Sequence, residues 1–284
     1  MSATWLRELL RRPAGAFGAA VLVLLVLCAL VSLVWTPQDP FATDPFHRWQ
    51  GPTAAHPFGT DGTGRDILSY VFAGTRTTVL VAVLSAAVAA VVGVVLAALG
   101  ALGPRRLREP LAVLIDVLIA FPVLLIAIML SAVLGPSLGV VVIATGIGFG
   151  VNIARVSRGE IRRVARTGYV LAARAAGLGP VRTLTDHVLP NTAPVLIVQL
   201  SLSAAVAVLA EAGLSFLGYG APPSTPSWGR LLNDLQDYVT LYPLTVIWPG
   251  LAITVTVLAF NLFGDALREA TDPRLVRSRS ERTR

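Results

Sequence analysis

Residues 169–191 read YVLAARAAGLGPVRTLTDHVLPN and lie between two long apolar runs. The stretch is small, polar and arginine-bearing, so it does not enter a bilayer. Tyr169 to Ala176 is an Ala-rich helix former. Gly177 and Gly179 interrupt it, because glycine is the usual helix stop. Pro180 suits the first turn of a new helix. Pro190 is expected to end that second helix, and Asn191 to cap the apolar helix that follows. The prediction is a short helical hairpin hung on a membrane domain, a shape suited to gripping a partner protein.

The rest of the chain supplies that membrane domain. Hydrophobic residues make up 55% and charged residues 14% of the 284, against roughly 25% charged in globular domains. Mean hydropathy is +0.72. A helix needs about 20 apolar residues to cross a bilayer. Six runs qualify: 14–35, 77–102, 111–134, 137–154, 192–217 and 242–263. The third and fourth are separated by Gly135-Pro136, a tight turn. The fold expected is all-α and polytopic. Residues 1–13 and 266–284 are terminal segments, 36–76 and 218–241 are outer segments, and 77–265 form the core with a connecting loop at 155–191.

All 23 basic residues are arginine. A lysine-free chain has no P-loop, whose lysine contacts the phosphates, and no Schiff-base nucleophile. If ATP drives this protein, another chain hydrolyses it. The net charge of +7 is explained by topology rather than nucleic acid. Nineteen of the 23 arginines fall before the first run, between the second and third, between the fourth and fifth, or after the sixth; Arg48, Arg65, Arg76 and Arg230 fall on the other side. The positive-inside rule then puts both termini and the hairpin in the cytoplasm. Trp5, Leu6, Leu9 and Leu10 recur at helical spacing beside Arg7, Arg11 and Arg12, as in a helix lying on the inner leaflet; an ordinary charged terminus reads the same way. The one cysteine, Cys28, excludes an internal disulfide and a cysteine metal cluster. It sits in a run too long for a signal peptide and is read as part of a retained span.

The outer segments contain PFGTDGTGRDILSYVFAG (57–74) and GYGAPPSTPSWGRLLNDLQDY (218–238). Both mix Gly, Pro, Asp and aromatics and suit ordered loops or short re-entrant helices at a pore mouth. Asp116 and Glu211 interrupt spans. A charge at mid-membrane costs a few kcal/mol, so each faces protein or water. Each is a candidate pore or gate contact, with Phe216 beside the second; the alternative is a structural hydrogen bond, to Asn152, Asn261 or backbone. Arg230, Asp234 and Asp237 share a helical face in the outer loop and are candidates for contact with a docked protein, or simply a solvated face. His47, His56 and His187 are too scattered in the topology for a metal site.

The chain resembles the C-type permease subunit of dipeptide, oligopeptide and nickel ABC importers. The hairpin is similar to that family's cytoplasmic loop: Glu-Ala-Ala, three residues, Gly, nine residues, Ile, one residue, Leu-Pro. Ala172, Ala173, Gly177, Leu189 and Pro190 fit. Leu171 replaces the Glu and His187 the Ile, the latter as in the HVLPN ending of the peptide branch. Further matches are FGTDGTGRDILS (58–69), DVLIAFP (116–122), EAGLSFLGYGAPPSTPSWG (211–229) and LAFNLFGDALREATDPRL (258–275). The resemblance implies a type I importer fold in the inner membrane. It implies a B-type permease partner, one or two ATPase subunits carrying ATP and Mg, and an extracytoplasmic binding protein. This chain itself needs no cofactor and is not an enzyme. Residues 171–173, 177–179, 187, 189 and 190 (Leu171, Ala172, Ala173, Gly177, Leu178, Gly179, His187, Leu189, Pro190) are the implied ATPase-coupling set. Short peptides are the implied cargo, with nickel chelates, haem or glutathione as alternatives. A stand-alone secondary transporter or channel is the competing reading; it would favour inverted repeats and buried ion ligands, and no clear repeat is present. A membrane enzyme lacks a nucleophile–base set.

Overall fold

In the computed structural model, which describes residues 9–271, the chain is helical and contains no β-strand among those residues. Helices α1 (Pro13–Ser32), α2 (Ile67–Leu102), α5 (Leu138–Val164), α7 (Leu189–Phe216) and α9 (Pro243–Thr271) are long and apolar enough to span a membrane. A sixth span is broken. Helices α3 (Arg105–Ala120) and α4 (Val123–Leu134) meet at an angle of 77°, where a single straight run over 111–134 was expected. The cause is Pro122: the residue before a proline is excluded from the helical region, and Phe121 is extended at φ −87°, ψ 125°. Two short helices, α6 (Gly168–Ala175) and α8 (Trp228–Leu235), lie at opposite ends of the bundle, called inner and outer after the orientation expected from the arginines.

Several spans outrun the lengths expected from hydropathy. Helix α2 starts ten residues inside the segment assigned to the outside, because Asp66 caps it by accepting from Ser69 N at 2.8 Å. Its 36 residues extend about 54 Å. Helix α5 runs past Ala154 to carry Arg155, Arg158, Arg162 and Arg163, and α9 runs past 265 to Thr271.

The centre of the domain is the pairing of α2 with α5. Small residues let the backbones approach closely, which is how membrane helices gain contact when lipid offers no hydrophobic contrast. A Cβ on Gly146 would lie 2.5 Å from Val88, and one on Gly150 2.7 Å from Val92. Ser85 and Thr145 join their hydroxyls across the same seam at 2.9 Å. Helix α7 packs against α2, α5 and α9, and α1 packs between α2 and α9. At the inner end Leu9 is buried against Ala266 and Leu267, and Arg12 pairs with Glu269. Trp5, Leu6 and Arg7 lie outside the described residues, as do the arginines beyond α9.

The outer segments are ordered. Trp49 stacks on Tyr242 with centroids 4.4 Å apart, and Phe58 on Trp248 at 4.0 Å. His56 contacts Asp66 at 3.0 Å. Arg65 reaches Asp61 at 2.6 Å and Asp234 at 3.1 Å. Burial works against the Arg65 charge, but the two carboxylates more than offset it and hold its pKa above the usual value. Ser227 caps α8, whose Trp228, Leu231 and Leu235 are buried; Trp228 Nε1 donates to Val71 O at 2.8 Å.

Candidate functional site

The hairpin forms at the inner end, where α5 delivers the chain to α6. Helix α6 ends in a Schellman motif. Leu178 N donates to Ala173 O at 3.1 Å and Gly177 N to Arg174 O at 3.0 Å. That geometry needs a left-handed residue, and Gly177 supplies it at φ 90°. Gly179 then precedes one α-turn, Pro180–Arg182.

The expected stop at Pro190 is absent. Residues 183–188 form a π-turn that runs straight into α7, with Leu189 N donating to Leu184 O five residues back. Pro190 lacks an N–H and its ring crowds the carbonyl four residues earlier; the wider turn makes room for it. Asn191 does not cap α7 either. Its Nδ2 donates back to His187 O at 2.7 Å. The hairpin's second arm and the fifth span are thus one helical body, Pro180–Phe216.

One face of the hairpin is docked and the other is open. Val170 and Val188 are fully buried with Ile161, Val164 and Ile115 beneath the inner ends of α3 and α5. Outward stand Leu171 at 50% exposure, Val181 at 72%, Ala172 and Gly177, flanked by Arg174 and Arg182. Nothing lies within 4 Å of a Cβ placed on Gly177 or Gly179. Ala173, Leu178, His187 and Leu189 are half-buried and Pro190 is exposed; His187 meets the ring of Tyr169 edge-on at 6.4 Å. Leu171 makes this face more apolar than a Glu would.

The chain belongs to the binding-protein-dependent transport system inner membrane components. That family's model matches residues 89–277. This ABC importer permease subunit is 39% identical over 269 residues to a putative peptide transport system permease protein of Brucella suis, covering 95% of this chain and 90% of that protein. It is 38% identical to a di/tripeptide transport system permease protein of Pseudomonas aeruginosa (92% of this chain, 88% of that protein). It is 37% identical to the nickel transport system permease protein of Escherichia coli K12 (90% and 92%). A solved inward-facing structure of the MetNI methionine ABC transporter shares the fold at a TM-score of 0.58 and 16% identity, covering 72% of this chain and 97% of that one. Members of this family work with another permease, an ATPase and a binding protein.

The remaining candidates of the permease fall in separate places. Glu211 is engaged within this chain. It is 1% exposed, and one carboxylate oxygen accepts from Ser215 at 2.6 Å and Ser227 at 2.8 Å. It anchors the start of α8 to the end of α7. Removing it leaves two buried hydroxyl donors without their acceptor, each costing about 1–3 kcal/mol, although both oxygens keep an accepted backbone bond. Glu211→Ala is therefore expected to lower the thermal midpoint of the purified complex clearly, while Glu211→Gln, which keeps an acceptor, lowers it less. Equal midpoints for Glu211→Ala and the parent would refute the anchoring role. Phe216 is half-buried at the outer end of α7, its carbonyl accepting from Asn233 at 2.7 Å.

Asp116 finds neither of its expected asparagine partners. Asn152 and Asn261 donate instead to Gly148 O and Val257 O of their own helices. Asp116 is exposed and lies 3.9 Å from Arg155. Asp234 is engaged by Arg65, whereas Asp237 is open and Arg230 half-buried.

A cleft that sequence reading missed opens at the inner end between α5, α7 and α9. Its volume is about 430 Å³, and its walls include Glu160, Arg163, Asn191, Gln199 and Asp265. Arg163 Nε and one Nη donate to Glu160 at 2.8 and 2.5 Å. A second, wholly apolar hollow of about 220 Å³ lies at the α3–α4 break, between Pro122, Leu124, Phe149, Val206 and Leu209.

Proposed function

We propose that the chain is the C-type half of a peptide-importing pore in the bacterial inner membrane, with both termini and the hairpin in the cytoplasm. The observation that carries this is the hairpin itself: a family-spaced, outward-facing Leu171/Ala172/Val181 surface around Gly177, fused to α7 as one helical body. A B-type permease completes the pore. One or two ABC ATPases, which hold the ATP and Mg, grip the two hairpins. Leu171, Ala172, Ala173, Gly177, Leu178, Gly179, His187, Leu189 and Pro190 form the coupling set, in which Ala and Gly let the partner approach the backbone closely. Closure of the ATPases draws the hairpins together and opens the pore outward; hydrolysis reverses it. The outer face around α8, with Arg230 and Asp237, receives the binding protein.

Peptide is the favoured cargo because relatives over nearly the whole chain are named for peptide transport. The nickel relative supports a second reading, a chelated metal. The test is reconstitution of the full complex in vesicles with ATP and the binding protein, comparing uptake of a labelled dipeptide with that of a nickel chelate. ATP-dependent dipeptide uptake is expected. Uptake by this chain alone, without an ATPase, would instead make it a secondary transporter.

A further inference from the structure

We propose that the inner cleft between α5, α7 and α9 is a binding site for the two charged termini of a short zwitterionic peptide, with Asp265 taking the ammonium and Arg163 the carboxylate. This rests on the peptide reading above and adds a site to it.

The argument starts from α7. One face of it, through half-buried Val195, Gln199 and Leu202 and exposed Val206 and Leu209, runs along about 21 Å of helix. The outer part of that face is apolar and meets the hollow at the α3–α4 break. The inner part is not. Gln199 and Asn191 point into the cleft, opposite Glu160 and Arg163 of α5 and Asp265 of α9. Uncovered polar and ionisable side chains on spanning helices face water or protein rather than lipid. At about 430 Å³ the cleft is in the size range of small-molecule sites, which pair apolar walls with a few polar groups. Val156, Pro194 and Val198 supply the apolar walls.

The charges have capacity for a ligand. Arg163 spends Nε and Nη2 on Glu160; a guanidinium has five N–H donors in a fixed fork, so Nη1 keeps its own for a further carboxylate. Asp265 is exposed on the opposite wall. Asn191 closes the floor, and its Nδ2 bond to His187 O joins the cleft to the coupling hairpin. A peptide seated there therefore touches the residue that links pore and handle.

The test is direct binding to the full complex of both permeases and ATPases in nanodiscs, without binding protein or nucleotide, with trialanine as the probe. Saturable binding is expected. It should weaken at least about tenfold in Asp265→Asn and for N-acetyl-trialanine, and at least about tenfold in Arg163→Gln and for trialanine amide, the loss of one charge-assisted hydrogen bond in each case. Absence of saturable binding, as when the second permease fills the cleft, overturns the proposal. So does equal affinity of the variants or of the doubly blocked peptide. Dipeptide uptake by the same complex is measured in parallel. Uptake without trialanine binding removes this site and leaves the peptide reading standing; nickel-chelate uptake with neither peptide uptake nor binding removes both.

Discussion

Gly177→Trp is expected to abolish binding-protein-dependent uptake, by more than about tenfold, while the complex still assembles and hydrolyses ATP. Two effects contribute and their sizes differ. The left-handed backbone at φ 90° penalises any L-residue by roughly 1–2 kcal/mol, a local cost on an exposed turn. The indole adds bulk where this chain offers no obstacle, since nothing lies within 4 Å of the Cβ position. Its collision is therefore with whatever covers the hairpin. Gly177→Ala isolates the backbone cost and should retain most uptake. Full transport by the Trp variant would show that no partner approaches this turn closely.

Gly229→Ala is expected to be among the most damaging single methyls in the outer half. A Cβ there would lie 2.0 Å from the carbonyl oxygen of Ala212 and 2.6 Å from its carbon. Both are backbone atoms of α7, so no side chain can swing aside. Overpacking usually costs about 1–3 kcal/mol, occasionally more, and this contact belongs at the upper end. Helix α8 would have to lift from α7, pulling Trp228 off Val71 and Ser227 off Glu211. The thermal midpoint of the solubilised complex should fall and the amount of assembled protein drop. Gly250→Ala is the control, because its Cβ meets nothing within 4 Å. Equal behaviour of the two variants would mean that α8 is not fixed by this contact.

The spans were legible because hydropathy and arginine placement act over 20 residues at a time. What failed was local. Phe121-Pro122 carried a readable bend signal inside an apolar run, yet the run's continuity hid it. Pro190 signalled a helix end, but a π-turn absorbs its missing donor, and no residue pattern announces such a turn. The outer end of α2 was set too short because polar residues such as Arg76, which donates to Ser32 Oγ at 2.8 Å, find partners inside the fold. One partner of Glu211, Ser215, lies a single turn on but was not among those expected from the sequence. The other, Ser227, is sixteen residues away and depends on how α8 folds back. The hairpin was legible as Gly and Pro punctuation; the inner cleft was not, since its walls come from three helices far apart in the chain.

The length of α2 has a mechanical consequence. It is a continuous rod without proline, fastened at its outer end to His56 through Asp66 and to Gln38 through Ser69. Near its inner end the Gly100 carbonyl accepts from Arg162 at 3.2 Å, two residues before α5 gives way to the hairpin connection. Lacking a hinge between these attachments, the rod carries a tug at one leaflet to the other as displacement rather than dissipating it as bending. On the arrangement proposed above, this strut would link a protein docked at the outer loops to the hairpin connection without passing through the pore.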